Sequence, residues 1–210
     1  VILSIDDFYL STHQRKLLAK KYKTNLFETR GVPGTHNLKL LSQTIRNLKR
    51  NKFPLFLPVF DKVADNKKKY QRKVNKADLI ILEGWCVGSK PIDPNYLKKN
   101  INDLEKIEDS NLLWRTAYNK ALIEYQKIFK KFSYFIFIKI PNWKFVIDWK
   151  YKQELGLRSS NSDNHLKKKL YRFIQFYEKL SKWMFLTSPI DCNVLITLDK
   201  KQTAKKITYK

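Results

Sequence analysis

The stretch V-I-L-S-I-D-D-F-Y, residues 1–9, decides the fold that this sequence predicts. Val1 to Ile5 is a short apolar run, and two carboxylates, Asp6 and Asp7, follow it directly. A buried parallel strand ends in this way when it delivers acidic side chains to the carboxyl edge of a sheet, where open α/β folds bind their ligands. An aspartate that caps the N-terminus of a helix would give the same local pattern. The stretch alone leaves both interpretations open.

A second predicted strand that ends in an acid favours a binding site. The sequence A-D-L-I-I-L-E-G-W, residues 77–85, predicts a strand from Ala77 to Glu83. Because the carboxyl ends of parallel strands lie at one edge of a sheet, we expect Glu83 close to Asp6 and Asp7. Carboxylates grouped there can hold Mg²⁺ through its waters and accept a proton from an attacking hydroxyl. The alternative for Glu83 is again the cap of a following helix.

Signals for strands and helices alternate along the rest of the chain. The helices are predicted at 38–50 (with Asn37 as its N-cap), 101–131 with a break near residue 109, 143–157, and after a polar break at 158–164. Further strands are predicted at 133–140 and 193–198, and the lysine-rich tract 66–76 predicts a loop or flap. This alternation indicates an α/β fold with a parallel sheet flanked by helices. No repeat or linker divides the sequence, so we predict one domain over residues 1–210.

The charge of the sequence is strongly positive, with a formal net charge of +24. Such a value is typical of nucleic-acid-binding proteins, but only eight of the 43 basic residues are Arg, the residue preferred for specific phosphate and base recognition. The lysines are scattered along nearly every predicted helix, which favours a solvated surface over a selected polyanion-binding surface. We therefore disfavour nucleic acid as a partner.

The two cysteines, Cys86 and Cys192, indicate which redox environment and which cysteine chemistry to expect. They form neither a disulfide framework nor a zinc-binding spacing, so we expect a reducing, cytoplasmic environment. No apolar run is long enough to span a bilayer, and no membrane partner is expected. Cys86 has no histidine near it in the sequence, so we interpret it as a small buried residue and not as a nucleophile.

A shaped loop lies between a short helix predicted at 11–22 and the helix predicted at 38–50, with the sequence T-N-L-F-E-T-R-G-V-P-G-T-H-N at 24–37. Two glycines and one proline within four positions indicate a defined turn, which also carries Arg30 and His36. Together with Lys62, these side chains could provide charge and hydrogen bonds to a small acidic substrate. The alternatives are an ordinary surface turn and a His36 that only bonds to the backbone.

Five motifs resemble, in order, those of the P-loop kinase family of D-glycerate 3-kinase: S-I-D-D-F-Y-L, R-G-V-P-G-T-H-N, F-D-K, I-L-E-G-W and W-K-Y-K-Q-E. The wider relatives of that family are uridine kinase, phosphoribulokinase and pantothenate kinase. The resemblance covers about residues 3–185 and implies a P-loop NTPase-like parallel sheet with a helical lid. It also implies a transferase that uses ATP and Mg²⁺ to phosphorylate a small metabolite, in the first place D-glycerate at its 3-hydroxyl. A nucleoside, pantothenate or a sugar-like alcohol is the alternative acceptor, and a catalytically dead relative that binds polyanions is another.

The resemblance implies roles for individual residues. Asp6 matches the catalytic base, Glu83 matches the acid that organises Mg²⁺ and water, and both would act on the metal through its waters. The residues that match the acceptor-binding segments are Asp7, Tyr9, Arg30, Gly31, His36, Asp61 and Lys62. Those that match the nucleotide-binding lid are Lys150, Gln153 and Glu154, and the lid with its following helix would span about residues 142–185.

One motif of the family is missing, because the sequence contains no G-x-x-x-x-G-K-[ST] loop. In the family this loop precedes the S-I-D-D-F-Y strand. We therefore expect an N-terminally truncated sequence that lacks the first strand and the Walker A loop and is inactive by itself. Asn37 stands where the family has Asp, and Lys150 where the lid has Arg. The expected protein is a monomeric cytoplasmic enzyme, and an organellar targeting segment upstream stays open.

Overall fold

The computed structural model describes residues 1–157 and 164–210 and divides into two compact units. The first unit comprises residues 1–91 and 111–131, and the second comprises residues 92–110 and 132–210. The predicted polar break at 158–164 lies almost wholly outside the described residues. The single domain over residues 1–210 stays a prediction.

Single strands or groups of strands alternate with pairs of α-helices along the chain. The strands are β1 (Ile2–Ser4), β2 (Leu55–Leu57), β3 (Phe60–Asp61), β4 (Asn66–Lys67), β5 (Arg72–Val74), β6 (Ile81–Glu83), β7 (Ile136–Lys139), β8 (Val194–Leu198) and β9 (Ala204–Tyr209). The helices are α1 (Thr12–Tyr22), α2 (Leu38–Lys49), α3 (Pro94–Lys98), α4 (Leu113–Phe129), α5 (Lys144–Leu157) and α6 (Asn164–Asp191). The segments 5–8 and 25–28 are 3₁₀ helices, and 104–108 is a π-helical turn.

The two acid-bearing strands of the first unit pair as predicted. β1 and β6 are parallel, and Ser4 lies opposite Glu83. Both strands are shorter than predicted, with three residues each. The prediction of a strand that continues to Ile5 is wrong, because the chain turns at Ile5 into the 3₁₀ helix that carries Asp6 and Asp7. The two acids therefore lie in the 3₁₀ turn that directly follows the strand.

The lysine-rich tract 66–76, which was predicted as a loop or flap, contains the two short strands β4 and β5. β2 pairs with β5 and β3 pairs with β4, in both cases antiparallel, so the chain from residue 55 to residue 74 folds back on itself. Most of its side chains face solvent, with Val74 buried at 8% exposure. Short, solvent-exposed strands of this kind need few apolar residues, which explains why the hydrophobic pattern of the sequence does not predict β4 and β5.

Helices α2 and α4 build the core of the first unit. The side chain of Asn37 accepts a hydrogen bond from the Leu40 N–H at 3.0 Å, which confirms the predicted N-cap of α2. The buried faces of both helices have helical spacing: Leu41, Ile45 and Leu48 on α2, and Trp114, Tyr118, Leu122 and Tyr125 on α4. Each such large apolar side chain contributes about 1.5–3 kcal/mol by burial.

The second unit combines a three-stranded sheet with long helices. β7 and β8 are parallel, and β9, which was not predicted, adds an antiparallel edge to β8. Helix α6 buries the ammonium of Lys179, whose Nζ lies 3.2 Å from the buried Glu105 carboxylate. Within the part of the chain that the structure describes, no helix is both long and apolar enough to cross a membrane.

Candidate active site

Asp6 is the centre of a small network in the first unit. The Tyr9 hydroxyl donates to Asp6 Oδ1 at 2.7 Å, and Lys62 Nζ lies 2.8 Å from Asp6 Oδ2. Burial acts to raise the pKa of Asp6, but the hydrogen bonds from Lys62 and Tyr9 outweigh it and hold the pKa below its ordinary value. Asp6 is therefore a carboxylate at neutral pH. The structure brings together three of the residues that the motifs predicted.

Asp7 has a different role from its neighbour. Its Oδ1 accepts a hydrogen bond from the Phe60 N–H at 3.1 Å. This bond attaches β3 to the 3₁₀ turn, and Lys62 follows β3 directly. Asp7 thus helps to position Lys62 beside Asp6, because it holds the backbone of Phe60 two residues before Lys62.

The loop at residues 30–37, which we call the acceptor loop, docks along the segment that follows β1. The Leu10 N–H donates to Thr35 O at 2.8 Å, and the Asn37 N–H donates to Phe8 O at 2.7 Å. Tyr9 and His36 lie opposite each other in this ladder. The predicted acceptor residues therefore lie beside the Asp6 turn, although they are 30 positions further along the chain.

The interior of the acceptor loop explains its residue types. The Thr35 hydroxyl donates to Val32 O at 2.7 Å and accepts from the Gly31 N–H at 3.1 Å. Gly31 and Gly34 have φ angles of 112° and 97°, in a region that residues with a side chain rarely adopt. Thr35 is fully buried. The loop therefore has a defined internal structure with buried hydrogen bonds, and it is not an ordinary surface turn.

His36 is buried, with 5% of its surface exposed. Its ring lies 4.6 Å from the ring of Tyr9, and its Nδ1 lies 2.6 Å from the Tyr125 hydroxyl. Burial lowers the pKa of His36 to about 3, and the Asp6 carboxylate opposes this shift only in part. His36 is therefore neutral at physiological pH, and its Nε2 makes no hydrogen bond with any described residue.

Tyr125 is a site residue that sequence reasoning missed. It is fully buried on α4, and its hydroxyl accepts a hydrogen bond from the Gly34 N–H at 2.9 Å. Burial raises the pKa of Tyr125 well above its ordinary value, so the hydroxyl keeps its proton. In the sequence Tyr125 is one of several aromatic residues on the apolar face of a helix, and no local signal distinguishes it from the core.

Arg30 of the acceptor loop is paired with a carboxylate that was not predicted. Its Nη1 lies 2.5 Å from Asp65 Oδ1, and Arg15 pairs with Oδ2 of the same group. Arg15 is completely buried, and its guanidinium also donates to Leu10 O and Glu28 O, each at 2.9 Å. Asp65 thus connects the acceptor loop with helix α1 and with the turn after β3.

Asp61 serves the turn that follows it. Its Oδ1 accepts hydrogen bonds from the Val63 and Ala64 N–H groups at 2.9 and 3.0 Å. These backbone bonds lower the pKa of Asp61, and Lys68, 3.7 Å from its other oxygen, adds to the effect. The carboxylate shapes the segment on which Lys62 and Asp65 stand, while its predicted role in acceptor binding stays a prediction.

Glu83 is the last residue of β6, and the path of the chain beyond it depends on Gly84. Gly84 has a φ of +144°, and a Cβ there would lie less than 3.0 Å from Ile5 Cγ2, closer than real Cβ atoms come. Only glycine lets the chain leave β6 so close to Ile5. Residues 84–88 form bends and turns, so Glu83 does not cap a helix, and that alternative is excluded. The side-chain carboxylate of Glu83 forms no hydrogen bond or ion pair with any described residue, while its backbone belongs to the β1–β6 ladder.

The carboxylates of the first unit fit Mg²⁺ in a limited way. No three His, Cys, Asp or Glu side chains within residues 1–157 and 164–210 form a metal-binding cluster. Mg²⁺ in kinases needs only one or two protein carboxylates, because it keeps several waters and binds the substrate phosphates. Glu83 fits this requirement, since its oxygens are not engaged. Asp6 already holds Lys62 and Tyr9, so it would reach the metal only through water.

Cys86 and three side chains of α5 also carry predictions from the sequence. Cys86 is buried, and burial raises the pKa of its thiol to about 12, so it is an unreactive packing residue as expected. On α5 in the second unit, Lys150 Nζ lies 3.0 Å from Gln153 Oε1 and 2.9 Å from Glu154 Oε1. These three side chains share one helix face, and their role as a nucleotide lid stays a prediction.

Proteins with similar sequences include three that are named as kinases. No protein-family model matches the sequence. The chain is 28% identical over 189 residues to an uncharacterized kinase, mug58, of Schizosaccharomyces pombe, covering 84% of this chain and 67% of that protein. It is 29% identical over 192 residues to the probable ATP-dependent kinase TDA10 of Saccharomyces cerevisiae, covering 83% and 62%. It is 26% identical over 207 residues to the chloroplastic D-glycerate 3-kinase of Arabidopsis thaliana, covering 89% and 42%.

Solved structures share the fold. A D-glycerate 3-kinase from Cryptococcus neoformans matches with a TM-score of 0.80 at 22% identity, covering 100% of this chain and 80% of that one. The YGR205w protein matches with a TM-score of 0.75 at 23% identity, covering 100% and 77%. The α/β fold class and the resemblance to the family of D-glycerate 3-kinase are therefore confirmed. The chain spans between 42% and 67% of the lengths of the three relatives by sequence.

Proposed function

We propose that this chain forms the acceptor site of an ATP-dependent kinase whose substrate is a small hydroxy acid, in the first place D-glycerate phosphorylated at its 3-hydroxyl. The observation that carries the proposal is the ionised Asp6 between Tyr9 and Lys62, beside the buried acceptor loop. The names of two relatives, a probable ATP-dependent kinase and a D-glycerate 3-kinase, support the reaction class.

Asp6 would orient the acceptor hydroxyl and receive its proton. A carboxylate with a lowered pKa is a weak base, but phosphoryl transfer proceeds through a loose transition state in which positioning and charge stabilisation dominate. The hydroxyl then needs little activation before the phosphoryl group arrives, and a weak, well-oriented base is sufficient. Tyr9 would hold Asp6 in that orientation through its hydrogen bond.

Lys62 would exchange its partner when the substrate binds. Its side chain is 63% exposed, and an ion pair of that exposure contributes only about 0–1 kcal/mol. The carboxylate of a hydroxy acid can therefore compete for the ammonium without a large loss of free energy. Release of Lys62 would also free one oxygen of Asp6 for the acceptor hydroxyl.

ATP and Mg²⁺ would complete the site from other parts of the protein. Glu83 would hold Mg²⁺ through water, and the metal would neutralise charge on the transferring phosphoryl group. Lys150, Gln153 and Glu154 would contribute the lid. Because the 210 residues contain no G-x-x-x-x-G-K-[ST] loop, we propose that sequence outside them holds the nucleotide phosphates, and that this chain alone is inactive. The cytoplasmic location and the monomeric state stay predictions.

The test is an assay of the full-length gene product with ATP, Mg²⁺ and D-glycerate. We expect turnover, and we expect Asp6→Asn to lower kcat about 10²- to 10⁴-fold, the usual contribution of a general base. Asp78→Asn is the matched control, since Asp78 is 80% exposed and pairs with Lys76 on the surface. It should leave kcat unchanged.

A panel of acceptors separates the alternatives. If the full-length protein phosphorylates a nucleoside, pantothenate or a sugar-like alcohol but not D-glycerate, the reaction class holds and the acceptor is wrong. If it phosphorylates none of these, or if Asp6→Asn retains full activity, the proposed function fails.

A further inference from the structure

His36 and Tyr125 share a short hydrogen bond whose direction can be worked out by counting protons. The Tyr125 hydroxyl has one proton and can accept two hydrogen bonds, and it already accepts one from the Gly34 N–H at 2.9 Å. His36 Nδ1 lies 2.6 Å from the same oxygen. Neutral imidazole carries one proton, on either Nδ1 or Nε2, so either group could be the donor in this contact.

The two possible directions of the Tyr125–His36 hydrogen bond leave different numbers of donors and acceptors without a partner. If Nδ1–H donates, the Tyr125 hydroxyl accepts twice, and both its own proton and the Nε2 lone pair have no partner among the described residues. If Tyr125 donates, its proton is used, and only the Nε2–H is left over. Both groups are buried, where an unsatisfied polar group is expensive. The second arrangement is therefore favoured.

We infer that Tyr125 is a positioning residue that donates its proton to His36 Nδ1 and so holds the histidine as the tautomer with Nε2–H, a donor reserved for an oxygen of the acceptor substrate. The inference deepens the proposed function and rests on it for the identity of that oxygen. The second observation that points to a ligand is Nε2 itself, a buried polar atom without a partner in the described chain. Buried groups of this kind are rare in native structures and call for an explanation.

The same hydroxyl also fixes the loop that carries the histidine. Gly34 lies two residues before His36, and its N–H points to Tyr125. On the other side of the loop, the Leu10 and Asn37 backbone bonds attach it to the Asp6 turn. Helix α4 thus sets both the proton position on His36 and the path of the acceptor loop. Because burial keeps His36 neutral, the Nε2 proton would not depend on pH near neutrality.

Nitrogen-15 NMR of the histidines in the full-length protein tests the tautomer directly, with His36 assigned by its loss in His36→Gln. We expect Nε2–H for His36 in the wild type and a shift towards Nδ1–H in Tyr125→Phe. Addition of D-glycerate without nucleotide should move the His36 Nε2 resonance. If wild-type His36 carries its proton on Nδ1, the inference is wrong, whether or not the protein is a kinase.

Kinetics give a second readout that a purely structural role would not produce. Tyr125→Phe should raise the KM for the acceptor about tenfold, the loss expected for one hydrogen bond to a charged group, and leave the KM for ATP unchanged. Tyr118→Phe removes another buried tyrosine hydroxyl from α4 and is the matched control. His36→Gln, whose amide can supply an N–H near the Nε2 position, should retain more acceptor affinity than His36→Ala.

These measurements separate the inference from the proposed function. An Nε2–H tautomer in a protein that phosphorylates no small alcohol supports the Tyr125 assignment and overturns the kinase. Turnover of D-glycerate with equal acceptor KM values in the wild type, Tyr125→Phe and His36→Ala supports the kinase and overturns the donor role.

Discussion

Replacing Gly84 by alanine tests how the end of β6 is built. The substitution introduces two penalties that can be separated. The φ of +144° is strained for any residue with a Cβ, which costs about 1–3 kcal/mol. The new Cβ also overlaps Ile5 Cγ2, and overpacking of this kind costs about 1–3 kcal/mol more. We therefore expect Gly84→Ala to lower the free energy of unfolding by about 2–6 kcal/mol.

Gly34→Ala is the matched control for the backbone penalty. Gly34 has a φ of +97°, but a Cβ there would meet Phe27 and Ala121 at 3.5 and 3.6 Å, which is ordinary van der Waals contact. Its cost should therefore be the strain alone, about 1–3 kcal/mol. Urea denaturation of the 210-residue chain, followed by tryptophan fluorescence, measures both variants, and Trp85 directly after Gly84 reports on the region.

A double-mutant cycle with Ile5→Ala isolates the steric part. Ile5→Ala removes Cγ2 and should itself cost about 2–5 kcal/mol, because Ile5 is buried. In the double variant the new Cβ enters the space that is left, so the combined loss should fall short of the sum by about 1–3 kcal/mol. Additive losses, or equal losses in Gly84→Ala and Gly34→Ala, would refute the close approach of Gly84 to Ile5.

Two further predictions concern ionisable groups. Asp65→Asn leaves the buried Arg15 with a weaker partner, so we expect the free energy of unfolding, measured by thermal denaturation, to fall by about 1–3 kcal/mol. The control Asp78→Asn, at an exposed position, should change it by less than about 0.5 kcal/mol. Equal effects of the two substitutions would contradict the anchoring role of Asp65. For His36, burial lowers the pKa from 6.5 to about 3, so its contribution to stability is complete above pH 6.5 and is lost as the pH falls towards 3, by up to about 1.4 kcal/mol per pH unit. The pH dependence of unfolding should be weaker in His36→Gln by that amount, and identical slopes would show that His36 is not buried as a neutral group.

The parts of the site that sequence could predict are those in which neighbours in the chain act together. Asp6 and Tyr9 are three residues apart and meet in one turn, and Asn37 caps the helix that follows it. The parallel pairing of the two acid-bearing strands follows from apolar runs of matching type. The first two features depend on local spacing, and the strand pairing depends on the composition of each apolar run; a sequence displays both directly.

The parts that could not be predicted depend on distant contacts. Tyr125 meets His36 across 89 positions, and Asp65 meets Arg15 across 50, so neither pairing leaves a local signal. The lengths of the two acid-bearing strands were overestimated, because their apolar runs extend beyond the residues that pair: Ile5 follows the last pair of β1, and Leu79 and Ile80 precede the first pair of β6. The short strands β4 and β5 were missed because lysine-rich segments at a solvent-facing edge have no alternating apolar pattern.

The way in which Arg15 is buried has a consequence for the order of folding. Its guanidinium is satisfied by Leu10, by Glu28 and by Asp65, groups that lie up to 50 residues away in the chain. A cation cannot leave water at low cost before its carboxylate partner is in place, so helix α1 cannot settle against the 3₁₀ segment 25–28 until the turn after β3 has docked. These three segments should therefore form and open as one cooperative unit, with similar opening free energies in native-state hydrogen exchange. A local opening that frees the turn would release the acceptor loop as well.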